Sequence, residues 1–138
     1  MCRCVYRGIA RAIINTLHVH RDSEQSACRL HANTPTPWLR TFVAVEYSYD
    51  VEVLARRVLT DVEFLVWDLF LIRNWDAERV THVARQHLGA SYAPKTVTRI
   101  ASDALIVMGK AAIEVAPYPL YPTREYFDAH QKTFAAAA

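Results

Sequence analysis

The stretch "NWDAERVTHVARQHLGASYAPKTVTRIASDALIVMGK", residues 74–110, decides the fold, because it holds two successive helical patterns whose ends have physical reasons to lie where they do. Asp76 suits a helix N-cap, since its short carboxylate can accept from one of the first amides, which find no partner inside the helix. Trp75 before it and Val80 after it stand at the two positions of a hydrophobic staple. Val80, Val83, Ala84 and Leu88 then form one apolar stripe, and Gly89 supplies the left-handed conformation that ends it. Pro94 opens the second helix, where a fixed φ and a missing amide cost nothing. Val97, Ile100, Ala101, Ala104, Leu105 and Met108 follow at offsets of three and four, leaving Lys95, Thr96, Thr98, Arg99 and Ser102 outside. Such side chains can donate to guanine edges, hold phosphates or touch a thymine methyl from a helix lying in the major groove. The spacing predicts a helix-turn-helix, with Arg79, Arg85, Lys95, Thr96, Thr98, Arg99 and Ser102 as its DNA-contacting residues.

Working outward, the rest of the chain predicts an all-α protein. Its 138 residues, 52% hydrophobic and 22% charged, suffice for one packed core, and three glycines leave little room for hairpins. The spacing predicts a helix over Val5–His18 on Ile9, Ala12, Ile13 and Leu17. Residues 21–40 read as a loop, because Pro35 and Pro37 disfavour helical geometry at the preceding threonines. "TFVAVEYSY" fits a short strand or the approach to a helix, with Asp50 as the cap of a helix carrying Val51, Leu54, Val58 and Leu59. "TDVE", Thr60–Glu63, has capping-box spacing and predicts a new helix over Asp61–Arg73. "APYPLYP" is a stiff exit, and Thr123–Ala138 begins a last helix that either packs on the domain or serves self-association. The expected divisions are 1–40 for an N-terminal helix and linker, 41–116 for the helix-turn-helix domain, and 117–138 for the exit and final helix.

Charge is uneven along the chain. Six arginines against Asp22 and Glu24 give residues 1–40 a net +4, three arginines against eight carboxylates give residues 41–78 a net −5, and residues 79–110 return to +4. A basic helical segment is a nucleic-acid footprint or a solvated amphipathic face. The apolar run Phe64–Ile72 is broken by Asp68 and falls far short of the roughly 20 residues that cross a bilayer, and no signal-peptide core develops before Arg11. A cytoplasmic chain without membrane contact is expected.

Leu59–Val80, "LTDVEFLVWDLFLIRNWDAERV", resembles the first helix and leading turn of region four of bacterial sigma factors. Thr60 replaces the usual proline, and Asn74 stands where the bend normally has glycine. The longer turn in "ARQHLGASYAPKTVTRIASDAL", Ala84–Leu105, departs from sigma factors and is similar to phage late-gene antitermination proteins of the Q type, which use a sigma-like helix-turn-helix. The resemblance covers between a third and a half of the chain. It implies a transcription regulator with two partners, double-stranded DNA near a late promoter and a paused bacterial RNA polymerase that then reads through terminators.

Two further readings come from the residues. Cys2, Cys4, His18, His20, Cys28 and His31 are either a mixed sulfur and imidazole zinc set or isolated reduced thiols and surface histidines. The spacing is irregular, and no CxxC pair is present. No metal or other cofactor is expected, and an odd cysteine count argues against a disulfide framework. No phosphate loop, GxSxG or HExxH occurs, so an enzyme is not expected. A small helical adaptor, docking its acidic segment 41–78 on a basic protein without binding DNA, is the alternative.

Overall fold

The computed structural model describes residues 2–27, 35–89 and 91–137, with side chains described over 2–21, 43–89 and 91–133. All regular structure among the described residues is helical: α1 (Arg3–Ala27), α2 (Pro35–Val58), α3 (Asp61–Val66, continuing as a π-helix over Trp67–Ile72), α4 (Ala77–Leu88), α5 (Pro94–Glu114) and α6 (Thr123–Ala137). The all-α expectation holds. No described helix is long and apolar enough to cross a membrane.

Apolar residues at helical spacing build the larger core. Ile9, Ala10, Ile13 and Ile14 line one face of α1, and Val43, Tyr47, Val51 and Leu54 line one face of α2. Both faces close on Ala104, Leu105, Met108 and Ala112 of α5, with Trp67 and Leu59 completing the interior. A smaller cluster, Val66, Leu69, Val80, Val97 and Ala101, joins α3, α4 and the front half of α5, with Trp75, Val83 and Ile100 packed on it. Two layers of packing therefore share α5. The π-helix adds a residue to the turn and shifts the phase of the face. Trp67 enters the larger core while Val66 and Leu69 enter the smaller one.

Helix ends set by local chemistry lie where the spacing puts them. Thr60 Oγ1 accepts from the Glu63 amide at 3.3 Å while Glu63 Oε1 accepts from the Thr60 amide at 3.2 Å, so both halves of the capping box are present. Asn74, with φ 57°, takes the left-handed conformation at the bend after the π-helix, a conformation that asparagine tolerates better than most residues.

Other ends differ. α1 runs on past His18 to Ala27, and α2 begins at Pro35, so much of the expected loop over 21–40 is helical. Pro35 and Pro37 fall in the first turn of α2, where amides have no partner inside the helix and their loss is harmless. The boundary expected between residues 40 and 41 lies inside α2. "TFVAVEYSY" is neither strand nor approach but helix interior, and Asp50 caps nothing. Its carboxylate instead accepts from the Tyr126 hydroxyl of α6. Leu88, expected on the α4 stripe, is exposed because the helix stops there. α6 packs on α2, which answers the choice between docking and self-association for its described face: Tyr126 is buried, its ring 5.1 Å from that of Tyr47, and His130 Nδ1 lies 3.3 Å from Glu46 Oε2.

Candidate nucleic-acid interface

α4 is fixed at both ends by its own sequence. Asp76 Oδ1 accepts from the Arg79 amide at 3.2 Å, and Gly89, with φ 64°, makes the left-handed C-cap. Val80 faces the smaller core, Ala84 one turn on is buried, and Trp75 packs against that same cluster from outside the helix. The Arg79 guanidinium sits 3.8 Å above the Trp75 ring centroid, so this arginine is partly committed to covering the staple.

α5 starts differently. Ala93 offers no side-chain cap, Pro94 occupies the first turn, and no acidic residue lies there. The Thr96 amide turns back to the Ala93 carbonyl at 2.9 Å, and the positive end of the helix dipole is left without a carboxylate. Val97, Ala101 and Ala104 hold the opposite face against the cores. Lys95, Thr98 and Arg99 are exposed, and Thr96 and Ser102 are half-buried. At 100° per residue, Lys95, Thr98, Arg99 and Ser102 share a strip about 100° wide, whereas Thr96 stands on its flank. Neither Lys95 nor Arg99 has an ion-pair partner among the described residues.

The remaining two expected contact residues do not join one strip. Arg79 and Arg85 are exposed on α4, yet their spacing turns them about 120° apart around the axis. Beside the staple lies a cleft of about 570 Å³ lined by Arg11, Asn15 and His18 of α1 together with Phe70, Asn74 and Trp75. Arg11 and Asn15 entered no expected site, because only the packing of α1 beside the π-helix brings them near residues sixty positions away.

The acidic segment is largely consumed by the fold. Glu46 pairs with His130, Asp50 with Tyr126, Glu52 with Arg56 at 3.0 Å and Asp68 with Arg73 at 3.5 Å, while Glu63 and Asp76 serve as caps. Of its carboxylates, Asp61 and Glu78 have no side-chain partner among the described residues.

The described members of the sulfur and imidazole set do not converge on one point. His18 Nε2 bonds the Ile72 carbonyl at 2.8 Å, and the His20 ring stacks 4.6 Å from Phe127. Among the described residues no three potential ligands gather, and Cys28 and His31 lie outside them. Cys2 and Cys4 do come together as a pair: their sulfurs approach to 2.6 Å, with Cys2 one residue outside α1.

No family model, curated protein or solved structure matches this chain.

Proposed function

We propose that the protein is a sequence-specific double-stranded DNA-binding regulator of transcription that places the first two turns of α5 in the major groove, with α4 crossing the backbone above it. The observation that carries this reading is the start of α5: an uncapped, acid-free helix end bearing exposed Lys95, Thr98 and Arg99, with no ion partner for Lys95 or Arg99 among the described residues. A helix end of this kind attracts phosphate, and a guanidinium one turn in can donate twice to guanine. Ser102 extends the strip, Thr96 flanks it, and Arg79 and Arg85 serve as backbone contacts on either side of α4. Antitermination on bacterial RNA polymerase, as in Q-type phage proteins, rests on the sequence resemblance and is the finer form of the proposal.

Selection of bound sequences from random duplexes supplies the target for the decisive comparison. Arg99→Ala should weaken binding by about 1–3 kcal/mol and relax preference at one base position. Lys95→Ala should weaken specific and nonspecific binding alike and lower the salt slope by about one counterion. If both variants fold and bind duplex DNA like the parent at low salt, α5 is not the reading helix. Unchanged terminator read-through in a purified transcription assay, despite DNA binding, would remove the antitermination step alone. The adaptor reading has less support, since six carboxylates of its docking segment already have partners within the fold. It predicts a co-purifying protein and no DNA shift.

A further inference from the structure

Cys2 and Cys4 sit at the amino end of α1 with their sulfurs 2.6 Å apart, and both side chains are exposed. The Cys2 carbonyl accepts from the Val5 amide at 3.0 Å and from the Tyr6 amide at 3.4 Å, so the chain between the two thiols is the first turn of the helix. A disulfide needs the two side chains directed at each other, and Cys2, one residue outside α1, is not held to the helical phase that would turn them apart. The Cys4 amide also points to Cys2 Sγ at 3.4 Å. Neither sulfur is shielded, and no third ligand stands near them among the described residues to make a closed metal site.

We infer that Cys2 and Cys4 form a dithiol site that exchanges with small-molecule disulfides such as oxidised glutathione and closes to an intrachain disulfide across the first turn of α1. Cys2 is the attacking sulfur: the Cys4 amide donates toward it, and contact with the Cys4 thiol and amide holds the Cys2 thiol below the ordinary value while the contact with Cys2 raises Cys4. The Cys2 thiolate attacks one sulfur of the small disulfide, forms a mixed disulfide and releases one small thiolate, which takes up a proton. Cys4 then loses its proton, attacks Cys2 Sγ and expels the second small thiolate. The two cysteines lose two electrons and two protons, and the small disulfide becomes two thiols. The ring so formed encloses Arg3 and fixes the Cys2 carbonyl that starts α1. It lies one turn from Tyr6, the residue whose backbone lies against Gly109 of α5. Nothing in this step depends on DNA binding.

The sequence makes the test direct, because trypsin cuts after Arg3, Arg7, Arg21 and Arg29 and so places the three cysteines in separate peptides, 1–3, 4–7 and 22–29. Folded protein treated with oxidised glutathione, then alkylated and digested, should yield 1–3 joined to 4–7 with neither carrying glutathione. Joining of either peptide to 22–29, persistent glutathione on both, or free thiols at both positions overturns the proposal. Cys4→Ser should stop with glutathione retained on 1–3. An unmodified 1–3 peptide in that variant removes Cys2 as the attacking sulfur.

Discussion

The chain's three glycines occupy three different physical situations, and substitution at each should read out a different one. A Cβ on Gly109 would lie 2.0 Å from the Tyr6 carbonyl oxygen, and that oxygen belongs to a helix backbone that cannot rotate aside. Gly109→Ala should force α1 off α5 and lower unfolding free energy by about 1–3 kcal/mol. Gly8 is exposed on α1 with nothing within 4 Å of the same added carbon. Gly8→Ala should therefore gain about 0.5–1 kcal/mol, because alanine gives up less backbone freedom in a helix. Denaturant unfolding of the two variants checks this, and equal shifts would mean that the α1–α5 approach is looser than described. Gly89 was legible in the sequence, since a glycine closing an apolar stripe implies a left-handed cap. Gly109 was not, because its reason lies in a helix about one hundred residues earlier.

The same division explains which elements could be read. Thr60 with Glu63, Asp76, Gly89 and Pro94 set their helix ends through partners within a few residues, and local partners are visible in a sequence. Asp50 has the composition of a cap but lies mid-helix, because its partner Tyr126 is 76 positions away on α6. The candidate strip on α5 was legible from period and cap together, while the consumption of the acidic segment was not. The α2–α6 contact also has a pH signature. Burial holds Tyr47 above the ordinary tyrosine range; burial first, and then the bond to Asp50 and the charges of Asp50 and Glu46, do the same for Tyr126. An unfolded chain releases these protons near pH ~10, so above that value it binds fewer protons than the fold, and stability falls as pH rises. The contribution is complete at lower pH. Tyr126→Phe should lose about 1–3 kcal/mol near neutrality, by leaving the Asp50 carboxylate without its donor. The variant should also show a shallower alkaline decline than the parent. Denaturation midpoints taken from about pH 8 to about pH 11 would reveal it, and parallel curves for the two proteins would sink the assignment.

Across the whole molecule, α5 contributes Val97 and Ala101 to the smaller cluster and Leu105, Met108 and Ala112 to the larger one. Neither cluster can come apart without freeing part of a helix that the other needs. Unfolding should therefore be a single transition, with tryptophan fluorescence, to which Trp67 of the larger core and Trp75 beside the smaller one both contribute, and helical circular dichroism superimposing. Val80→Ala, placed in the smaller cluster, should move the whole transition and not split it. A separate early step in circular dichroism would show the clusters to be independent. The continuity of α5 also has a metric consequence. Its 21 residues make a rod about 31 Å long, close to one turn of B-DNA at about 34 Å. If its first turns seat in a groove as proposed, such a rod would carry the α1–α2–α6 end at a fixed range and azimuth from the duplex, since no elbow interrupts it. Moving the DNA site by half a helical turn, about 5 base pairs, would swing that end to the far side of the double helix. A partner engaged there would then depend on rotational phase along the DNA as much as on distance.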